Sequence, residues 1–280
     1  MKTPFLSIIL TVVTLLPAYC QQNSFPNEHC QFLATYRLTF QPDSADASVH
    51  RMELMRLMIG KSTSLFESIG NHLSDSLYAT VSNTQPSGET VQLFMNKLQN
   101  IQPSRFRYKI YKNTSAKIIS TYDKVDGKLY HYSESLSLFN WRILSDKQII
   151  AGYTCQRAVT SFAGRHYEAW FTREIPFSDG PYKFSGLPGL IVKVGDNRQQ
   201  YVFELISFKK ISNSTSITLP TQAAISATKI NVQRAQQNYY ANLKQMVAAR
   251  TNSVTTSVPE SEQAMQSRIR KKYNNHIEIH

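Results

Sequence analysis

Three turn signals, each set between two strand-like stretches, constrain the fold of this chain more than any other feature. The turns lie at Asp126-Gly127, Ala163-Gly164 and residues 195–198, and the hairpins that they predict are 117–132, 153–172 and 190–208. Asp-Gly suits a type I′ turn, because both central residues of that turn need a positive φ. Three successive hairpins favour an antiparallel meander over alternating strands and helices.

Further segments extend this pattern on both sides. Residues 30–40 and 105–110 alternate apolar with polar side chains, which is typical of strands with one buried face. After residue 230 the apolar side chains recur at helical spacing, and Asn231 suits an N-cap. We therefore expect a C-terminal helix over 231–250 that packs one face against the sheet.

Residues 1–20 have the layout of a secretory signal peptide, with Lys2 followed by an apolar stretch over 5–16. The predicted cut lies between Cys20 and Gln21. An alternative makes Cys20 a lipidated first residue, but a bulky residue precedes it, which departs from the usual lipidation signal. A retained anchor is disfavoured, because the stretch is shorter than the roughly 20 residues that span a bilayer. We expect an exported protein that is periplasmic, outer-membrane-associated or secreted.

Beyond the signal peptide, the sequence indicates one β-rich domain over 21–250 and a basic, polar tail over 251–280. The formal charge of the chain is +12 at pH 7, which favours acidic partners such as anionic lipid head groups, lipopolysaccharide or nucleic acid. The export signal and the lack of a nucleic-acid-binding motif argue against nucleic acid. No transmembrane span is expected after signal cleavage, so any association with the outer membrane would be peripheral.

Cys30 and Cys155 remain after cleavage, an even pair in a chain expected to reach an oxidising compartment. The default expectation is one disulfide between them. It would close a long loop and stabilise the fold by about 4 to 5 kcal/mol on the chain-entropy model. The alternative is a nucleophilic Cys155, for which no adjacent histidine signature is present.

The densest cluster of turn-forming residues is the block from Gly180 to Ile191, with two prolines and three glycines. Within it, residues 187–190 predict a type II turn, because proline presets φ at the second position and glycine supplies a positive φ at the third. A reactive loop is the alternative, but these residue types chiefly dictate backbone geometry. The block is interpreted as structural, and its defining residues are Gly180, Pro181, Gly186, Leu187, Pro188, Gly189, Leu190 and Ile191.

The stretch Gly186–Ile191 resembles the motif for which the GLPGLI family of exported bacterial proteins is named. Two further elements are similar to that family, with weaker similarity at two other places: Gly152–Ala158, Gly164–Thr172, Ser64–Ser68 and Asn274–Glu278. The family usually has proline where this chain has His276. Because the family is largely uncharacterised, the resemblance implies export and a β-rich fold more firmly than any activity.

The chain also resembles, more distantly, the bowl-like N-terminal domain of a type II peptide N-glycanase. The apolar run 52–59 suits either a buried strand or a short helix on its period alone, and the family resemblance favours the strand. Residue pattern and resemblance together predict a mainly β fold. We expect a curved antiparallel sheet, a half-barrel or bowl-like meander, with a C-terminal helix.

The second hairpin brings a candidate ligand-facing patch together. If the chain turns at residues 163–164, Arg157 lies opposite Trp170 and Val159 lies opposite Glu168. Arg157 then lies over the indole or reaches Glu168 diagonally. A structural cross-strand pair is the favoured interpretation, and a patch of Arg157, Glu168 and Trp170 that faces a ligand is the alternative.

No residue pattern identifies a catalytic site. The histidines form no helical His-x-x-x-His or Glu-x-x-His pair, no Gly-x-Ser-x-Gly elbow is present, and Asp123 with Asp126 is assigned to the first hairpin turn. His166 and Glu168 share a strand face, so a metal site with a third ligand elsewhere stays open as an alternative. The sequence therefore predicts no catalytic residue, no metal site and no cofactor.

Aromatic residues are abundant, with 15 Tyr and 14 Phe, and supply both apolar and hydrogen-bonding surface. We interpret the chain as a non-catalytic binding protein of the cell envelope, for an envelope glycoconjugate, a lipid-like ligand or an exported protein partner. The alternatives are a hydrolase acting on envelope polymers or peptides, and a structural partner of an outer-membrane assembly. An open aromatic cavity would support binding, whereas a packed sheet without an opening would count against it.

Overall fold

A computed structural model of the chain describes residues 25–81, 87–212, 215–251 and 275–278. The predicted signal peptide, with Cys20 and Gln21, lies outside these residues. The strands are β1 (Glu28–His29), β2 (Phe32–Phe40), β3 (Arg51–Ile59), β4 (Thr63–Ser68), β5 (Lys109–Asn113), β6 (Ile118–Val125), β7 (Lys128–Ser135), β8 (Arg142–Ile150), β9 (Tyr153–Phe162), β10 (Arg165–Thr172), β11 (Leu190–Asp196), β12 (Tyr201–Lys210), β13 (Ser216–Ile217) and β14 (Ile225–Ser226). The helices are α1 (Ile69–Val81), α2 (Gly88–Gln99) and α3 (Lys229–Thr251).

One open sheet holds twelve of these strands, in the order β14-β7-β6-β5-β4-β3-β2-β12-β11-β10-β9-β8. Two meanders, β2 to β7 and β8 to β12, meet where β2 pairs with β12. Neighbouring strands are antiparallel, except that β14 runs parallel to β7, and β1 forms a separate pair with β13. The predicted mainly β fold with a C-terminal helix is confirmed.

The three predicted hairpins are present, and two of them turn at the predicted residues. The third turns at residues 197–200 instead of 195–198, because β11 continues through Asp196 and β12 begins at Tyr201. Residues 126–127 have φ angles of 49° and 75°, and residues 163–164 have φ angles of 45° and 77°. These positive angles match the right-handed twist of the flanking strands. The register of β9 against β10 places Arg157 opposite Trp170, as predicted.

Contacts between distant strands show that the sheet is curved. Three strand steps separate β4 from β12, which corresponds to about 14 Å in a flat sheet. The rings of Phe66 in β4 and Phe203 in β12 nevertheless have centroids only 6.0 Å apart, and both side chains are buried. The sheet therefore wraps around a shared aromatic core, which suits a half-barrel or bowl.

The helices differ from expectation in two ways. α1 and α2 lie between β4 and β5, where no helix was foreseen, and neither contains a buried residue. α3 begins at Lys229, and Thr228 rather than Asn231 caps it, because the Thr228 hydroxyl accepts a hydrogen bond from the Asn231 N–H at 3.2 Å. α3 packs over β6 and β7. Among the described residues, no helix combines the length and the apolar character needed to cross a membrane.

Cys30 and Cys155 are buried free thiols, so the expected disulfide is not present. Cys30 lies two residues before β2, whereas Cys155 lies in β9, four strand steps away in the sheet. The two thiols also pack into different core clusters, whereas a disulfide needs Cα atoms within about 7 Å. Burial raises the pKa of the Cys155 thiol to about 11, which also argues against a nucleophilic role.

The Gly180–Ile191 block is mostly buried, but the expected type II turn is wrong. The Gly189 N–H bonds to the carbonyl two residues earlier at 2.8 Å, which makes a three-residue turn. A Cβ on Gly189 would lie 2.0 Å from the Thr172 carbonyl oxygen, so only glycine fits this approach. The buried ammonium of Lys112 donates to the first carbonyl of the block at 2.6 Å, and these contacts fix its backbone.

Candidate functional site

A cavity of about 680 Å³ lies beside α3. Its walls come from residues 104–108, from β6, β7 and β12, from α3, and from residues 275–278, called the tail segment below. The volume lies within the range of about 300 to 1,000 Å³ that is typical of small-molecule sites. The aromatic residues that line it are Phe106, Tyr108, Tyr132, Tyr182, Tyr201 and Tyr239.

Three polar side chains of the cavity, Tyr108, Thr121 and Asp123, form what we call the polar cluster. Thr121 and Asp123 are two residues apart in β6 and so point to one face of the sheet. Tyr108 directly precedes β5. The strand was expected to begin at residue 105, but β5 begins at Lys109. All three residues are buried: Tyr108 and Asp123 are each 8% exposed, and Thr121 is 2% exposed. Within the described part of the chain, the Tyr108 and Thr121 hydroxyls have no hydrogen-bond partner. Both oxygens lie beneath the surface of the cavity lining. Because leaving such a group unpaired costs about 1 to 3 kcal/mol, a polar group that displaces the lining is favoured here.

Asp123 is the ionisable member of the polar cluster. Burial raises the pKa of its carboxyl to about 6, although Lys183 and Arg107 act in the opposite direction. Gln236 of α3 donates a hydrogen bond to Asp123 Oδ2 at 2.7 Å. The assignment of Asp123 to the hairpin turn with Asp126 is therefore wrong, because its side chain lies in the cavity and can accept or donate a proton near neutral pH.

A buried network of charges holds one end of the tail segment. The Lys183 ammonium is fully buried and lies 2.5 Å from Glu134 Oε2 and 2.7 Å from Glu278 Oε1. Lys229 pairs with the same two carboxylates, and the Tyr182 hydroxyl donates to Glu278 at 2.6 Å. Burial alone would raise the pKa of Glu278, but Lys183 and Lys229 lower it to about 2. Two cations thus face two anions.

Arg165 of β10 holds the other end of the tail segment. Its guanidinium donates to Asn275 Oδ1 and to the His276 carbonyl, both at 2.6 Å, and pairs with Asp196 at 3.1 Å. The Tyr201 hydroxyl donates to the Asn275 carbonyl at 2.7 Å. Side chains of the sheet therefore fix the tail segment as a wall of the cavity.

The cavity suits a ligand that is rich in hydroxyl groups. Tyrosine and threonine hydroxyls and glutamine amides both donate and accept hydrogen bonds, and an ionised carboxylate accepts them. Gln233 and Gln236 of α3 also line the cavity and supply two side-chain amides next to the polar cluster. The aromatic rings supply apolar surface between these polar groups, so a ring that bears hydroxyls fits both kinds of lining.

The structure brings Arg157, Glu168 and Trp170 together outside this cavity. Arg157 Nη2 lies 2.6 Å from Glu168 Oε2, and the Trp170 indole N–H donates to Glu168 Oε1 at 2.9 Å. The side chains of Arg157 and Glu168 are 34% and 42% exposed. The diagonal contact is present, and a ligand-facing role for the patch stays a prediction.

His166 and Glu168 do not gain a third ligand. His166 Nδ1 lies 2.8 Å from Ser161 Oγ, and Glu168 is engaged by its two neighbours. Across the described ranges, no group of three or more His, Cys, Asp or Glu side chains could hold a metal ion. This pair therefore adds no support to the hydrolase alternative.

Sequence reasoning missed the residues that build the tail wall. Residues 251–280 were assigned to a polar tail, yet Asn275 and Glu278 are buried, and the weak family similarity in this segment was the signal that pointed to them. Tyr182 and Lys183 lie inside the block that was interpreted as structural alone. Their polar groups within a buried block were the available signal, because buried charges need partners.

The comparisons with known proteins bear on the fold. The model of a family described as a protein of unknown function (Porph_ging) matches residues 164–193, a stretch that includes the Gly180–Ile191 block. No curated protein matches the chain. Two structures of PNGF-II, in the C2 and P21 space groups, are similar, with TM-scores of 0.51 and 0.50 and 16% sequence identity. Each match covers 74% of this chain but 33% of the other, so the chain spans about a third of the length of PNGF-II.

Proposed function

We propose that this chain is an exported, non-catalytic binding protein of the cell envelope, of GLPGLI type, whose cavity takes a ligand of saccharide type such as the sugar part of a glycoconjugate. The buried, unpartnered hydroxyls of Tyr108 and Thr121 in the cavity carry the proposal. A sugar hydroxyl both donates and accepts, so it can satisfy either of them once the lining shifts to expose these buried oxygens.

A lipid-like ligand suits the cavity less well than a saccharide. An acyl chain offers no hydrogen bond to Tyr108, Thr121 or Asp123, so its binding would leave these buried groups unsatisfied. The polar cluster would then oppose binding. A ring with several hydroxyls satisfies the cluster and still packs against the aromatic lining.

Thr121→Val tests the proposal, because it keeps the shape of the side chain and removes the hydroxyl. A glycan array first identifies a saccharide that binds the protein, and titration calorimetry then measures its affinity. We expect the variant to bind that saccharide about tenfold more weakly. The free energy of unfolding without ligand should rise by about 1 to 3 kcal/mol, because the variant removes a buried hydroxyl that has no partner among the described residues.

Thr160→Val is the matched control. The Thr160 hydroxyl donates to the Asn140 carbonyl at 3.0 Å, and neither residue lines the cavity. This variant should lower the free energy of unfolding by about 1 kcal/mol and leave the affinity unchanged. If no saccharide binds the protein, or if Thr121→Val binds as tightly as the natural chain, the proposal is wrong.

Asp123 favours a second candidate function, a hydrolase that acts on envelope polymers. A carboxyl with a pKa of about 6 in a cavity suits general acid or base catalysis near neutral pH. Mass spectrometry of envelope polysaccharides incubated with the protein would then detect shorter products, and Asp123→Asn would stop their formation. A lack of products from the natural chain would leave the binding role as the better account.

A further inference from the structure

Positive charge predominates in the lining of the cavity. Five cationic and three acidic residues line it, namely Arg105, Arg107, Lys124, Arg198 and Lys229 against Asp123, Asp126 and Glu278. What a ligand meets depends on which of these charges already have partners. The cations therefore have to be considered one at a time.

Two of the five cations have partners in the chain, and the side chain of a third leaves the sheet on the other face. Lys229 pairs with both carboxylates of the network that holds the tail segment. Arg105 donates to two backbone carbonyls, at 3.1 and 3.4 Å. Lys124 follows Asp123 in β6, so its side chain leaves the sheet on the opposite face.

Arg107 and Arg198 differ from these three. Both are exposed and both line the cavity, and in the part of the chain that the structure describes neither lies within ion-pair distance of a carboxylate. Arg107 is close enough to Asp123 to lower the pKa of its carboxyl, which places this cation near the polar cluster. Guanidinium groups in this position are open to an anion from solvent.

We infer that the ligand carries an anionic group, which Arg107 and Arg198 bind at the exposed side of the cavity while its hydroxyls reach the polar cluster. The ligand class is an acidic saccharide, with a carboxylate or a phosphate. Planar guanidinium groups suit both anions, because their N–H donors form paired hydrogen bonds with two oxygens. The inference rests on the proposed function and adds the charge of the ligand to it.

Pairs of oligosaccharides that differ only in charge test the inference. Oligogalacturonate against its methyl ester examines a carboxylate, and phosphorylated mannobiose against mannobiose examines a phosphate. Titration calorimetry at about 50 mM NaCl should show that the acidic member of at least one pair binds about tenfold more tightly than its neutral partner. Raising the salt to about 0.5 M should reduce that preference.

A pair of double variants separates these arginines from the overall charge of the protein. Arg107→Gln with Arg198→Gln should remove the preference for the acidic member, and urea unfolding verifies that the variant is folded. Arg142→Gln with Lys147→Gln is the control, because both residues are exposed on the edge strand β8 and the same charge is removed. The control should keep the preference.

Each outcome bears on the inference. Equal affinity within both pairs, or the same loss of preference in the β8 control, overturns it and leaves the proposed function standing. If neither pair binds but a neutral saccharide from the array does, the inference also fails on its own. If no saccharide binds at all, the proposed function fails with it.

Discussion

The two sides of the cavity treat their buried polar groups differently. On the tail side, the ammonium of Lys183 has two carboxylate partners within 2.7 Å. On the β6 side, the hydroxyls of Tyr108 and Thr121 have no partner among the described residues. Buried charges and dipoles are tolerated when they are paired. The Lys183 ammonium is therefore satisfied by the chain itself, whereas the two hydroxyls on the β6 side are not.

Two carboxyls show the same contrast in their acidity. Burial acts on both, but Lys183 and Lys229 lower the pKa of Glu278 to about 2, while the pKa of Asp123 remains raised at about 6. Glu278 is therefore a permanent anion in a structural network. Asp123 changes its charge near neutral pH, which suits a group that meets a ligand.

The largest effect that we predict concerns Lys183, because it is the centre of the tail network. Lys183→Met leaves the buried carboxylates of Glu134 and Glu278 short of one cation, and we expect the free energy of unfolding to fall by about 3 to 5 kcal/mol. Urea denaturation measures it. Lys193→Met is the matched control, because Lys193 is 36% exposed and pairs with Glu204 at 2.9 Å, and it should cost less than about 1 kcal/mol. Equal costs would remove the distinction between the two sides.

The next effect depends on pH and has the opposite sign on the β6 side. A folded-state pKa of about 6 for Asp123, above its ordinary value of 3.8, means that the stability supplied by its protonated form is lost as the pH rises from about 4 through 6. Asp123→Asn should therefore raise the free energy of unfolding at pH 7 by about 1 to 3 kcal/mol and change it little at pH 4. Urea denaturation at the two pH values measures both differences.

Glu278 should show the reverse dependence. Its folded-state pKa of about 2 lies below the ordinary value of 4.5, so its stabilising contribution is present above about pH 4.5 and is lost as the pH falls toward 2.

Asp146→Asn is the control for the Asp123 variant, since the Asp146 side chain is 52% exposed and its replacement should change stability by less than about 0.5 kcal/mol at both pH values. A variant of Asp123 that is destabilised at pH 7 would contradict the assigned role of burial.

Much of the fold was predictable because hairpins are local. The Asp126-Gly127 turn and the pairing of Arg157 with Trp170 depend on residues less than 20 apart in the chain, so composition at the turn determines the register. α1 and α2 were missed because they bury no residue, and an unburied helix has no need of a strong periodic pattern. The disulfide was wrong because residue counts carry no information on which strands are neighbours.

The cavity was not predictable in the same way, since it depends on distant contacts. Gln236 meets Asp123 across 113 residues, and Arg165 meets Asn275 across 110 residues. Alternation in the segment before β5 did predict that Tyr108 is buried. What it could not indicate is that the Tyr108 hydroxyl lacks a partner, because that follows from which elements pack above it.

The smallest effect that we predict belongs to the patch outside the cavity. Arg157→Ala removes an ion pair whose members are 34% and 42% exposed, and solvent screens such pairs, so the free energy of unfolding should fall by only about 0.2 to 1 kcal/mol. The affinity for a saccharide should stay unchanged, because Arg157 does not line the cavity. A tenfold loss of affinity would instead make Arg157, Glu168 and Trp170 the ligand-facing surface. Titration calorimetry on Arg157→Ala and on Thr121→Val decides between the two positions. The variant that weakens saccharide binding marks the surface that contacts the ligand.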